Sequence, residues 1–272
     1  MEIDELKKMA AALRRDIIDI AFLAEGPSHP GPALSIADIV CALYFSVMDV
    51  DPRNPSWEDR DRLVLSKGHA CPAVYAALAE RGYFSKDWLA TVRRLDSRLQ
   101  GHPDMKKTPG VDITSGSLGN GLSLGLGMAM ALGLLKKSCC VFVVLGDGEL
   151  QEGMVWEAAM AAAAKGAGNL IAIVDNNGFQ SCGSTDSIVP VKPLREKWES
   201  FGWDVIELDG HNMGELVSGL ETAKRGGTVP KAIIAHTVKG KGVSFMENDN
   251  AWHQKTPTAE QYHAALMELG AI

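Results

Sequence analysis

Two apolar runs constrain the fold of this chain more than any other feature. Cys140-Val141-Phe142-Val143-Val144-Leu145 and Leu170-Ile171-Ala172-Ile173-Val174 are rich in branched side chains and carry no polar residue. A strand sends successive side chains to opposite faces, so a run without polar alternation is buried on both. Residues 153 to 165 between them are alanine-rich and read as a helix. Strand, helix and strand in that order make a βαβ unit with parallel strands and a right-handed crossover. Each run ends abruptly, the first at Gly146-Asp147-Gly148 and the second at Asp175-Asn176-Asn177-Gly178.

The rest of the chain repeats the alternation. Helices are expected over residues 5 to 24, from a cap at Ser35 to about Phe45, and near 72 to 81, 86 to 95 and 213 to 224. Strands are expected at Arg62 to Ser66, Asp204 to Leu208 and Ala232 to Val238. No repeat, low-complexity run or linker divides the chain, so residues 1–272 are expected to form one α/β domain with a doubly wound, mostly parallel sheet. Ser117 to Leu135 holds no charge over 19 residues, near the length of a membrane span. Five glycines interrupt it and Lys136-Lys137 follow, so a glycine-rich loop feeding a helix buried against the sheet explains it better.

Composition narrows the function classes. The net charge of −7 advertises no binding to nucleic acid or anionic membrane, and an anionic ligand would need local positive potential. Five cysteines without a Cys-x-x-Cys pattern favour reduced thiols in a cytoplasmic protein, and no apolar signal region opens the chain.

Ligands of open parallel sheets bind beyond the carboxyl ends of the strands, where both central runs stop at small polar residues. Glycines there let backbone N–H groups approach an anion, and the following helix directs its positive end to the same place. Asp147 and Asn177 offer hard oxygen ligands on adjacent strand tips, which suits Mg²⁺ completed by phosphate oxygens and water. A single Gly-Asp-Gly is ordinarily only a tight turn. Two such tips on one βαβ unit favour a metal-chelated diphosphate.

Gly146-Asp147-Gly148, 27 intervening residues and Asn176-Asn177 resemble the signature of thiamine-diphosphate enzymes. Glu149-Leu150-Gln151-Glu152-Gly153 narrows the resemblance to transketolases. Ser28-His29-Pro30-Gly31, Ser66-Lys67-Gly68-His69-Ala70, Gln100-Gly101-His102-Pro103-Asp104, Thr114-Ser115-Gly116-Ser117-Leu118-Gly119, Asp209-Gly210-His211, Lys239-Gly240-Lys241-Gly242 and Trp252-His253 extend it along the whole chain.

The resemblance implies that Asp147, the Asn177 side chain and the Phe179 carbonyl hold Mg²⁺ (or Ca²⁺ or Mn²⁺). It implies contacts from His69 and Gly148 to the diphosphate of thiamine diphosphate, and from Gly116 and Leu118 to the cofactor's middle. Glu152 and Glu157 match acidic residues of a network between two cofactor sites. His29, His102 and His253 match catalytic histidines around the substrate. Imidazoles that titrate near neutrality suit proton transfer in cleaving and rebuilding a ketose. His211, His236 and His263 read as structural or surface residues. Lys67, Lys239 and Lys241 read equally well as local positive charge or as solvated lysines, and none is assigned.

The implied activity is transfer of a two-carbon ketol unit from a ketose phosphate to an aldose phosphate through the cofactor's carbanion chemistry. The chain matches only the diphosphate-binding domain. A partner chain carrying the pyrimidine-binding and C-terminal domains is therefore expected, two copies of each in a heterotetramer, with this chain inactive or nearly so by itself. Gln180-Ser181-Cys182-Gly183, Pro32 and Asn120 depart from the usual family pattern and leave the sugars open. The competing readings are the α chain of a 2-oxo acid dehydrogenase, a fragment of deoxyxylulose-phosphate synthase, a cofactor-binding subunit without catalysis and, last for want of a Gly-x-Gly-x-x-Gly turn or a P-loop, a plain nucleotide-binding α/β domain.

Overall fold

The computed structural model describes residues 1–270, so the last two positions of the expected domain lie outside the described residues. The chain runs α1 (Ile3–Leu23), α2 (Pro30–Ser35), α3 (Ala37–Ala42), β1 (Arg62–Leu65), α4 (Cys71–Arg81), α5 (Asn120–Leu134), β2 (Val141–Gly146), α6 (Gly153–Ala164) and β3 (Leu170–Asn176). It continues with β4 (Phe179–Gln180), β5 (Gly183–Ser184), α7 (Thr185–Ile188), α8 (Leu194–Ser200), β6 (Asp204–Asp209), α9 (Met213–Lys224), β7 (Lys231–His236) and α10 (Ala259–Glu268).

Five strands form one parallel sheet in the order β1-β2-β3-β7-β6, and β4-β5 is a separate small hairpin. The two central runs pair in register from Val141 opposite Leu170 to Gly146 opposite Asp175, which brings their polar ends side by side.

The sheet explains why those runs needed no polar residue. Phe142, Val144, Ile171, Ile173, Ile233 and Ala235 enter one core, with apolar residues of α1, α2, α3, α4, α9 and α10. Val141, Val143, Leu145, Leu170, Ala172, Val174, Ala232 and Ile234 enter the other, against α5, α6 and α8. Successive residues thus alternate between two apolar layers, and the doubly wound α/β architecture follows.

Three local expectations change. Ser35 does not cap a helix to Phe45. It ends α2, its hydroxyl committed to Asp175 at 2.6 Å, and the chain proceeds through α3 and a π-helical turn at Leu43–Val47. No α-helix covers 86 to 95: a 3₁₀ stretch spans Lys86–Thr91, after which Arg93 and Asp96 adopt φ of 67° and 62°. Those values lie outside the right-handed helical region.

The third change concerns α5, which is not wholly buried. Gly125, Leu126 and Ala129 face inward. Leu124, Gly127, Met130, Ala131 and Leu134 lie exposed along the opposite side, and Leu134 is 84% exposed. No described helix is long and apolar enough to cross a membrane.

A candidate cofactor and active site at the strand tips

Every strand of the central group delivers polar residues to the same end of the sheet. β1 leads into Ser66-Lys67-Gly68-His69, β2 into Asp147-Gly148, β3 into Asn177, and β7 into Thr237-Val238-Lys239. Together they surround a cavity of about 350 Å³. Its lining includes His29, His69, Gly116, Leu118, Asp147, Gly148, Glu152, Asn177, Phe179 and His253. These are all of the expected site residues except His102 and Glu157. His102 lies beside the cavity with its ring 6.4 Å from that of His29. Glu157 is exposed on α6, away from the lining.

The cation-binding expectation meets a fitting donor set. Asp147 is 1% exposed, and its carboxylate accepts only backbone N–H groups, from Gly148 at 2.8 Å and Gly178 at 2.6 Å. Burial, then the charge of Asp175, push its carboxyl up to about 7, so the site disfavours bare negative charge. A divalent cation would reverse that. Among the described residues no cluster of three or more His, Cys, Asp or Glu side chains could hold a metal by itself. One carboxylate, one amide oxygen and one main-chain carbonyl would need oxygens from elsewhere to complete a cation's shell, and a diphosphate would supply them.

Four histidine rings cluster above this floor. His29 lies 5.3 Å from His69 and 5.5 Å from His253, and His69 lies 5.2 Å from His253. Burial, then neighbouring positive charge, lowers every one of them. His29 falls to about 4 and His253 to about 3, and His69 and His102 also lie below their ordinary value. All four are therefore neutral near pH 7, each with one donor and one acceptor nitrogen.

For His253 the arrangement selects the tautomer. The Lys239 ammonium lies 3.1 Å from His253 Nδ1, with Asn250 Oδ1 at 2.6 Å and the Gln180 carbonyl at 3.3 Å as its other acceptors. An ammonium only donates, so Nδ1 accepts and Nε2 carries the proton.

Sequence reasoning missed the buried charges beneath the site. Lys67 and Lys239 are 2% and 1% exposed, not solvated, and both line the cavity. Burial, then Lys67, pulls Lys239 down to about 8. Lys67 pairs with Asp175, which is fully buried. Burial opposes ionisation of Asp175, but the Lys67 charge and hydrogen bonds from Lys67, Ser35 and Thr237 outweigh it and hold the carboxyl below its usual range. Lys239, whose acceptors are neutral, supplies the local positive potential that the acidic chain needed, whereas the charge of Lys67 is balanced by Asp175. The positions of both lysines at strand ends were the available signal.

Glu149, which the sequence marks only as one letter of a motif, organises the glycine loop. Its Oε1 accepts the Gly119 N–H at 2.8 Å and the Ser66 hydroxyl, and its Oε2 accepts the Gly146 N–H at 3.1 Å. Gly116 sits at φ 142°, and a Cβ there would meet the His102 ring at 2.9 Å, so the loop can pass beneath the histidines only as glycine. His211 is structural. Its Nδ1 lies 2.7 Å from Asp38 while Nε2 accepts the Val238 N–H at 2.8 Å.

Comparisons with known proteins bear on the family and the fold. The family described as "Transketolase, thiamine diphosphate binding domain" matches residues 6–271. A 6-deoxy-6-sulfo-D-fructose transketolase subunit of Clostridium sp. (strain MSTE9) is 48% identical over 90% of this chain and 89% of its own. An apulose-4-phosphate transketolase subunit of Actinobacillus succinogenes is 41% identical over 98% and 96%. Human transketolase is 40% identical over 98% of this chain, which spans only 42% of that protein. The crystal structure of Campylobacter jejuni transketolase superposes with a TM-score of 0.91 at 32% identity, covering 99% of this chain and 43% of that one.

Proposed function

The chain belongs to the transketolase family as its thiamine-diphosphate-binding domain, and from that premise we propose that it is one subunit of a two-chain transketolase. The reaction is transfer of a two-carbon ketol unit from a ketose to an aldose. The observation that carries this reading is the gathering of the expected cation, diphosphate and histidine residues around one cavity at the strand tips.

In this reading residues 1–272 are one cofactor domain. Asp147, the Asn177 side chain and the Phe179 carbonyl hold Mg²⁺. His69, Gly148 and the ammonium of Lys239 face the diphosphate, while Gly116 and Leu118 support the cofactor's middle. Thiamine diphosphate bound there supplies the carbanion chemistry that breaks and makes the carbon–carbon bond. The protein orients the sugar and moves its protons. His253 presents Nε2–H as a donor, while His29 and His102 offer neutral imidazoles that accept a hydroxyl proton and return it.

A partner subunit is supported independently. The exposed side of α5, with Met160 of α6 58% exposed nearby, is an apolar face that a stable monomer rarely leaves in water. Glu152 and Glu157 are exposed at the start of α6. Relatives of nearly equal length are named as subunits. We assign the face to a chain carrying the pyrimidine-binding domain, two copies of each. An anionic sugar is the substrate class, since one of these relatives is named for a sulfonated sugar and another for a phosphorylated one.

The test is a ketol-transfer assay with thiamine diphosphate and Mg²⁺, using this chain alone and mixed with candidate partner subunits. Transfer only from the mixture is the expected result. Full turnover by the chain alone would refute the two-subunit reading, and 2-oxo acid decarboxylation in place of transfer would refute the reaction.

A further inference from the structure

An asparagine amide has two ends of nearly equal size, and only its hydrogen bonds decide which end faces a ligand. In this protein the decision is made by Asp175 and Ser35. Both hydrogens of Asn177 Nδ2 are engaged, with Asp175 Oδ2 at 2.9 Å and Ser35 Oγ at 3.2 Å. Asn177 Oδ1 accepts the Phe179 N–H at 3.0 Å and keeps one lone pair free for the cavity.

The directions are forced rather than chosen. Asp175 faces the Lys67 ammonium and is a carboxylate, so it only accepts. Ser35 Oγ, 2.6 Å from Asp175 Oδ1, therefore donates to it, as does the Thr237 hydroxyl. Having donated, Ser35 is left as an acceptor toward Asn177. A flipped amide would set its oxygen against the Asp175 carboxylate and its NH₂ toward the cation. Both contacts are repulsive.

We propose that Asp175, with Ser35, is a positioning residue that fixes the Asn177 amide with its oxygen toward the cation site. This rests on the reading of Asn177 as a cation ligand. The clamp draws Ser35 from the end of α2, Lys67 from the end of β1, Asp175 from β3 and Thr237 from the end of β7. The cation site is thereby coupled to the packing of three strand ends. It explains why a fully buried ion pair lies directly under the candidate site: the pair keeps Asp175 an obligate acceptor.

The experiment is Mn²⁺ binding to the full chain with thiamine diphosphate, read as free Mn²⁺ by electron paramagnetic resonance, with folding checked by circular dichroism. Outer-shell changes typically weaken metal binding about 10- to 100-fold, and Asp175→Asn and Ser35→Ala should each fall in the lower part of that range. Asp175→Asn leaves Lys67 unpaired and endangers folding, whereas Ser35→Ala keeps the ion pair.

The deciding variant exchanges the two residues, Asp175→Asn with Asn177→Asp, at unchanged net charge. A carboxylate has oxygen at both ends and needs no orienting, so this variant should regain binding to within about threefold of wild type, beyond the outer-shell penalty. Wild-type Mn²⁺ affinity in folded Ser35→Ala, or an exchange variant that binds no better than Asp175→Asn, would overturn the positioning role. Wild-type Mn²⁺ affinity in Asp147→Ala would instead overturn the cation-site reading.

Discussion

Asp147 Oδ2 accepts the backbone N–H of Gly178 at 2.6 Å, tying the tip of β2 to the turn that follows β3. The same carboxylate holds the Gly148 N–H through Oδ1. One side chain therefore shapes both walls of the candidate cation site before any cation arrives. Asp147→Ala is expected to abolish Mg²⁺-dependent binding of thiamine diphosphate, as measured by calorimetry. The apo chain should lose only about 1–3 kcal/mol, because two N–H groups lose their acceptor while an unfavourable buried carboxylate is also removed.

The histidine cluster predicts acid sensitivity with a definite sign. His29 and His253 titrate at about 4 and about 3 in the fold, against 6.5 ordinarily. Below pH 6.5 the unfolded chain takes up protons that the folded chain refuses. The stability these histidines contribute is complete above 6.5 and is lost as pH falls through 4 and then 3. Asp147, raised to about 7, acts in the opposite sense, so the comparison must be between variants. Denaturant melts of His29→Asn and His253→Asn between pH 3 and 7 should show a smaller loss of stability on acidification than wild type. Equal slopes would mean that these rings titrate normally.

Two glycines of α5 should behave oppositely. A Cβ on Gly125 would lie 2.5 Å from Val143 Cγ2, whereas one on Gly127 meets nothing within 4 Å. Gly125→Ala is therefore expected to cost about 1–3 kcal/mol through overpacking. Gly127→Ala should stabilise the chain by up to about 1 kcal/mol through helix propensity. Urea denaturation of both variants checks the pair.

The apolar face predicts a separation of folding from assembly. Met130→Glu with Leu134→Glu alters side chains already in contact with water, so the melting temperature should stay within a few degrees of wild type. Light scattering of the mixture with the partner subunit should show the complex lost. Intact assembly would place the interface elsewhere.

Much of the architecture was legible because it depends on period and punctuation. The runs at Cys140 to Leu145 and Leu170 to Val174 could be buried only between two layers, and their polar ends had to share one edge. The expected helix over 213 to 224 is found at Met213–Lys224, where Asn212 caps the first turn. The helix expected over 86 to 95 failed because Arg93 and Asp96 turn to positive φ, a choice that local propensity does not record. Lys67 and Lys239 were undecidable for a related reason. A lysine beside a glycine looks solvated until the fold shows what covers it.

The sequence by itself determined the parallel sheet, the edge at which a ligand would sit and the family to which the chain belongs. These follow from side-chain period and from short motifs, which are local properties. Only the tertiary structure decided which nitrogen of His253 carries the proton and which end of Asn177 faces the cavity. It also decided that Lys67 and Asp175 neutralise each other beneath the site. Those outcomes depend on distances between residues as far apart in sequence as Ser35 and Thr237, and on the low dielectric that burial imposes on them.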